Sequence, residues 1–160
     1  MSPIERFIVA HDLHRHVPVD LGPLRELAPV KFLRLSEGTL GGAFANEVGC
    51  VIGINRSLGR DERRMTFCHE LAHLILEHPN SLWLCRIDGW WYSRYERQAQ
   101  QAAALMLIPF EPLRRRLLAG YAVEAVAGAF RVPRSLVELR VAMAEDQLLP
   151  RVRMPQRTTV

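Results

Sequence analysis

The clearest pattern of apolar and polar positions predicts a long helix from about residue 60 to residue 78. This stretch lacks Gly and Pro, and its first turn carries the acidic Asp61 and Glu62, which favour a helix N-terminus. Pro79 and Asn80 end it. The apolar positions that support a helix are Met65, Cys68, Ala72, Ile75 and Leu76.

Further helices are predicted on both sides of the first. One runs from about residue 93 to residue 107 and is closed by Pro109. Two shorter helices follow near residues 121–130 and 133–145. The first 30 residues are interrupted by prolines, and their pattern indicates one or two short helices.

Three short strands are predicted before the long helix. Residues 30–35, 42–45 and 49–54 are separated by Gly-rich and Asn-Glu turn signals, which indicate a small antiparallel sheet. One face of the third strand carries Gly49 and Gly53 and is nearly bare, so another backbone could approach it.

These elements predict an α+β fold. A small antiparallel sheet packs on the first long helix and on a second helix, and a helical pair follows at the C-terminal side. At 160 residues the chain has the length of one ordinary domain. We expect residues 1–120 to form the main domain, residues 121–149 a helical extension packed on it, and residues 150–160 a flexible tail.

Composition narrows the class of protein. Hydrophobic residues make up 49% and charged residues 24%, as in folded globular proteins. The N-terminus lacks a signal peptide and no stretch approaches a membrane span, so we expect a cytoplasmic protein. Three cysteines without a CxxC pair argue neither for a disulfide framework nor for cysteine-ligated zinc. The net charge of +4 comes mainly from arginines, for which a solvated surface is the favoured interpretation.

The chemistry-bearing motif is HExxH, formed by His69, Glu70 and His73 on the long helix. Residues four apart share one helix face, so both imidazoles can hold one metal ion. Glu70 can take a proton from a water that the metal has made acidic and pass it to the leaving amine. The alternative is a helix whose polar side chains are hydrogen-bonded in the core or face water. We favour the metal site because the surrounding helix surface is apolar.

A catalytic zinc ion takes three protein ligands and leaves a fourth position to water, so one ligand must come from elsewhere. His78 lies about half a turn from the two histidines, Glu77 lies too far along the axis, and Asp88 falls in an irregular segment. Glu96 opens the second helix, where small residues on the same face allow close packing. We therefore predict Glu96. A second donor for the oxyanion could be Tyr92, Tyr95 or His78, and each is equally explained by packing or surface exposure.

Three ordered segments resemble the ImmA/IrrE-type metallopeptidases: residues 55–58, 64–76 and 96–109. The family has a strand ending in Asn, an HELGH-like helix and a helix of the form ExEAxxFAxxLLMP, whose glutamate completes the metal site. The resemblance covers about residues 40–145. This chain departs from the pattern at Ala72, where Gly is usual, at Gln98, where a second Glu often stands, and at Ala102, where Phe is common.

The resemblance implies a zincin-like fold of the gluzincin kind. It implies limited proteolysis of a helix-turn-helix transcriptional repressor, which would release stress, prophage or mobile-element genes. We expect His69, His73 and Glu96 to hold Zn²⁺, with Mn²⁺ as an alternative because these ligands suit several first-row ions. Glu70 is then the catalytic base. We further expect the strand at residues 49–54 to pair with an extended substrate segment.

Two other functions fit the sequence. The chain could be a regulator-binding module that does not cleave, such as an anti-repressor or a toxin-antitoxin component. Its C-terminal helices are also similar to the family's helical tail, which has a helix-turn-helix look, so Arg134, Ser135 and Arg140 could contact DNA. Helix pairs that brace a domain are commoner, and bracing is the favoured interpretation.

Overall fold

The computed structural model describes residues 1–79 and 89–145. The N-terminal part holds α1 (Pro3–Ala10), a 3-10 turn (Leu13–Arg15) and α2 (Leu24–Leu27). The strands are β1 (Val30–Leu33), β2 (Gly41–Asn46) and β3 (Gly49–Asn55). The later helices are α3 (Arg60–Ile75), α4 (Gly89–Leu107), α5 (Phe110–Leu118), α6 (Val123–Phe130) and α7 (Arg134–Met143). The predicted α+β class is confirmed.

The sheet has the order β1-β3-β2, so the last strand lies between the first two. β2 and β3 form an antiparallel hairpin because the Asn46 side chain accepts from the backbone N–H groups of Val48 and Gly49 and reverses the chain. β1 joins the other side of β3 in parallel, with Val30 opposite Ile52. The prediction of an antiparallel sheet was therefore wrong for β1, and the sheet is mixed.

The core lies between the sheet and the helices. Ile52 and Ile54 on β3 are almost fully buried, as are Phe67 and Leu71 on α3. Helix α4 packs on α3 through alanines, which are Ala72 on α3 and Ala99 and Ala103 on α4; all three are fully buried. Small side chains allow the two helix axes to approach closely. This contact brings the N-terminal half of α4 alongside the HExxH residues.

Helix α5 was not predicted from the sequence, where Pro109 was interpreted as the end of the preceding helix. Pro109 in fact caps the helix, and Pro112 lies in the first turn, where a missing N–H costs nothing. Leu113 is fully buried and fixes the helix to the core.

The C-terminal pair, α6 and α7, shares a hydrophobic cluster with α4, to which it contributes Phe130, Leu136 and Val137. Arg140 is buried, and its Nε donates to the carbonyl of Ile108 at 3.2 Å. The exposed Arg134 is held by two carboxylates, at 2.6 Å from Glu124 and 2.7 Å from Glu138. Of the three residues considered for DNA contact, Ser135 is therefore the one that is exposed and takes no part in these hydrogen bonds and ion pairs. The Arg140 hydrogen bond ties α7 to the residue that follows α4.

Two other expectations can be compared with the described residues. Cys68 is a buried free thiol and Cys50 is partly buried, while Cys85 lies outside the described ranges. Within residues 1–79 and 89–145, no helix combines the length and apolarity needed to cross a bilayer. The predicted tail at residues 150–160 also lies outside the described residues.

Asn55 ends β3 and ties it to the loop that precedes β2. Its side chain is buried, and Nδ2 donates to the carbonyl of Thr39 at 2.9 Å. Its Oδ1 accepts from the backbone N–H of Ser57 at 3.2 Å and from the Ser57 hydroxyl at 3.0 Å. Because buried polar groups need partners, Asn55 determines where this loop lies.

We expect Asn55→Ala to lower the free energy of unfolding by about 1–3 kcal/mol, because it leaves the Thr39 carbonyl and the Ser57 amide without a partner. Ser57→Ala is the matched control: it removes one of the three hydrogen bonds and should cost less. Urea denaturation measures both. An equal loss in the two variants would show that Asn55 does not hold the loop.

Candidate metal centre

The three residues predicted as metal ligands converge in the structure. His69 Nε2 lies 3.1 Å from Glu96 Oε2, and His73 Nε2 lies 3.4 Å from Glu96 Oε1. The two histidine Nε2 atoms are 3.2 Å apart. Across residues 1–79 and 89–145, this is the one group of His, Cys, Asp and Glu side chains whose ligand atoms all lie within 4.8 Å of one another.

The other ring nitrogen of each histidine is also engaged. His69 Nδ1 lies 3.1 Å from Gln100 Oε1, and since the amide oxygen only accepts, His69 carries its proton on Nδ1. His73 Nδ1 lies 3.0 Å from His78 Nδ1 and can donate to it in the same way. These contacts leave both Nε2 atoms directed toward Glu96 and toward each other, where each can bind a metal ion when it carries no proton.

This arrangement fits a divalent metal ion. Two Nε2 lone pairs and a carboxylate at these distances repel one another unless a cation or a proton lies between them. Two imidazoles and one carboxylate form a donor set that zinc takes in catalytic sites, and manganese or iron also accept it. The chemistry of the donors therefore supports a metal-binding site and leaves the identity of the metal open.

The electrostatics favour positive charge beside Glu96. Burial would raise the pKa of Glu96, but its hydrogen bonds to His69 and His73 outweigh burial and lower the pKa to about 2. Burial would lower the pKa of His69, but the Glu96 hydrogen bond and the charges of Glu70 and Glu96 raise it above its ordinary value. Glu96 is therefore a carboxylate at neutral pH, ready to neutralise a cation.

Glu70 lies between the two histidines and β2. Burial raises its pKa above the ordinary value of a glutamate, against the opposing effect of His69 and His73. The backbone N–H of Ala43 favours its charged form. A carboxylate with a raised pKa is a better proton acceptor near neutral pH than an exposed one.

The remaining candidates lie elsewhere or outside the described residues. His78 contacts the far nitrogen of His73, and burial, together with the nearby His73, lowers its pKa to about 4, so it stays neutral and can accept. The Tyr95 ring packs on His78 with centroids 4.6 Å apart. Glu77 is not in the ligand group and has a positive φ of 54° just beyond α3. Asp88 and the side chain of Tyr92 lie outside the described residues, so the oxyanion donor stays a prediction.

A cleft of about 380 Å³ opens over these groups. One wall is the loop and strand at residues 38–43, and the opposite wall comes from α3 and α4. The strand in this wall is β2, which is an edge of the sheet. The expectation that β3 pairs with substrate was wrong, because β3 is central and both of its edges are occupied.

The free edge of β2 faces the cleft. Leu40 O accepts from Asn55 N at 2.8 Å, so Leu40 directs its polar groups toward β3. Alternate residues of an antiparallel strand point to opposite sides, so Gly41 and Ala43 direct their N–H and C=O groups away from β3. Both residues line the cleft. An extended peptide can pair with these groups beside Glu70.

Two residues that shape the site were not predicted from the sequence. Gln100, which orients His69, lies four residues after Glu96 on the same face of α4, and this spacing was the signal that could have revealed it. Gly41 lies against α3, where a Cβ would stand 2.7 Å from Thr66 Cγ2 and 2.8 Å from the Gly53 carbonyl oxygen. Glycine at position 41 thus lets β2 and α3 approach closely.

We expect Gly41→Ala to push β2 away from α3 and to lower the free energy of unfolding by about 1–3 kcal/mol. Gly42→Ala is the matched control, since its Cβ meets only ring atoms of Phe44 at an ordinary 3.6 Å. Urea unfolding compares the two variants with the wild type. A destabilisation of Gly42→Ala as large as that of Gly41→Ala would contradict the close approach.

The family comparison covers the whole site. The family model described as Peptidase_M78, IrrE N-terminal-like domain, matches residues 28–142, from just before β1 into α7. The HExxH residues, Glu96 and Gln100 all fall inside this range. No curated protein gives a significant match to the chain.

Proposed function

The chain belongs to the Peptidase_M78 (IrrE N-terminal-like) family of metallopeptidases, and from this premise we propose that it is a zinc-dependent endopeptidase. Its substrate is a helix-turn-helix transcriptional repressor, and a limited cut in that repressor releases stress, prophage or mobile-element genes. The reaction takes place in the cytoplasm, where such repressors act. The observation that carries the proposal is the convergence of His69, His73 and Glu96 beside Glu70 in an open cleft.

In this proposal His69, His73 and Glu96 hold the Zn²⁺, and Mn²⁺ is the alternative metal. When bound, the ion supplies a Lewis acid that acidifies a water and polarises the scissile carbonyl. Gln100 and His78 contact the ligand histidines and not the metal. Each fixes the ring of one ligand histidine and the position of its proton.

Glu70 is the general base. Its carboxylate accepts a proton from the attacking water and later donates that proton to the leaving amine. The raised pKa of Glu70 supports this role, since the same group must hold the proton between the two steps.

The substrate adds to the edge of β2 as an extended strand. Gly41 offers its backbone N–H and C=O groups to it and Ala43 offers its C=O, while the Ala43 N–H favours the charged form of Glu70. The Cγ of Glu70 lies close to the position of Gly41. Strand addition can use an internal stretch of a chain, because it needs no free terminus. This supports an endopeptidase.

The domain organisation is part of the proposal. Residues 1–120 form the peptidase domain, and residues 121–149 form an extension that braces it. Buried residues of α6 and α7 belong to the same hydrophobic cluster as α4, which supports bracing. Of the extension, residues 146–149 lie outside the described ranges.

We expect protein purified without chelator to carry about one zinc per chain, and His73→Ala and Glu96→Ala to lose it. Glu70→Gln should keep the zinc and lose peptidase activity by about a thousandfold or more, since it removes the base and no ligand. Elemental analysis gives metal content. Mass spectrometry of helix-turn-helix repressors incubated with each variant gives cleavage.

The outcomes separate the alternatives. Repressor that binds the wild-type protein but stays intact after long incubation with zinc or manganese would favour a non-cleaving module. Absence of metal after zinc addition would overturn the metallopeptidase proposal.

We expect Gln100→Ala to weaken zinc affinity by about tenfold to a hundredfold, because His69 loses the acceptor that fixes its ring. Gln101→Ala is the control, since Gln101 is not among the described residues that line the cleft. Competition with a chelator of known affinity measures both variants. Unchanged affinity in Gln100→Ala would show that Gln100 does not position His69.

A further inference from the structure

A second groove lies at the opposite edge of the sheet, between β1 and the first turns of α3. β1 is the other edge strand. Its Leu33 carbonyl accepts from Arg56 N at 2.8 Å, and the Pro29 carbonyl accepts from Ile52 N at 2.9 Å, so these residues face β3. Val30 and Phe32 alternate with them and direct their N–H and C=O groups outward. No strand among the described residues pairs with this edge.

The groove joins an apolar floor to a cationic rim. Val30, Phe32 and Leu58 line a space of about 370 Å³, and Phe32 is 52% exposed. Arg25 and Arg60 line it from α2 and α3 and are both exposed. Among the described residues, no Asp or Glu lines this groove.

Arg63 adds a third cation beside the floor. Its guanidinium lies over the Phe32 ring at 5.0 Å from the centroid. One of its nitrogens donates to the Arg56 carbonyl at 2.7 Å, while its buried Nε has no hydrogen-bond partner among the described residues. Arg64, by contrast, donates to the carbonyls of Val19 and Arg131 and serves the fold.

The groove is separate from the metal centre. Arg60, Arg63 and Phe67 line the groove from the first two turns of α3, whereas Glu70 and His73 lie further along the helix, at the metal centre. The two sites share no lining residue, and they flank opposite edges of the sheet.

We propose that this groove binds an extended, acidic segment of a partner polypeptide, which adds to β1 as a strand. The free edge at Val30 and Phe32 supplies main-chain hydrogen bonds, the floor takes alternate apolar side chains, and the arginines pair with carboxylates. A nucleic acid would use the arginines but leave the strand edge without a partner, so the combination favours a polypeptide. The proposal does not depend on the peptidase activity.

The test uses the full chain and a fluorescein-labelled peptide of alternating Glu and Val, with fluorescence anisotropy as the readout. We expect this peptide to bind at least about tenfold more tightly than its Lys-Val counterpart. Arg60→Glu should weaken binding by about tenfold or more. Arg115→Glu, an equal charge change on α5 outside the groove, should leave it unchanged.

Strand addition is tested with two N-methylated peptides, one methylated at every Glu and one at every Val. Alternate N–H groups of an extended peptide point to opposite sides, so only one methylated peptide should lose binding. Equal binding of both, or equal loss in Arg60→Glu and Arg115→Glu, would overturn the proposal. Binding of a single-stranded oligonucleotide that Arg60→Glu abolishes, without peptide binding, would also overturn it.

Discussion

The close packing of α4 on α3 is the contact on which the metal centre depends. Ala72, Ala99 and Ala103 are fully buried, and larger side chains there would hold the two helices apart. Glu96 reaches the His69 and His73 nitrogens at 3.1 and 3.4 Å because it lies one turn before Ala99 on α4, next to this contact. Alanine at position 72, where the family usually has glycine, is compatible with this approach. The ligand set is therefore a consequence of helix packing.

A similar constraint operates on the other side of α3. Gly41 lets β2 lie against Thr66 and Glu70, and Asn55 holds the preceding loop at the rim of the cleft. Helix α3 is thus fixed between β2, which has no room for a side chain at position 41, and α4, which packs on it through alanines. Close packing of this kind keeps functional side chains in one geometry.

The helices and strands with a clear local pattern of apolar residues were predicted from the sequence. The HExxH helix and the position of Glu96 beside it were predicted from residue spacing. The structure brings His69, His73 and Glu96 together. The strand order was not predicted, because the residues of β1 do not by themselves determine which of the other two strands β1 pairs with. Helix α5 was not predicted because Pro109 was interpreted only as the end of the preceding helix and not as the start of another. The spacing of Gln100 from Glu96 places both residues on one face of α4, but the contact of Gln100 with His69 depends on how α4 packs on α3.

The two free edges of the sheet differ in the charge of the side chains beside them. β3 is central and carries the buried Ile52 and Ile54, so both free edges belong to other strands. The β2 edge faces Glu70 and Glu96, whose negative charge suits a metal ion, whereas the β1 edge faces Arg60 and its neighbours. An antiparallel sheet in chain order would have left β3 at an edge and buried β2. The pairing of β1 with β3, and not with β2, is therefore what leaves Gly41 and Ala43 exposed to the cleft.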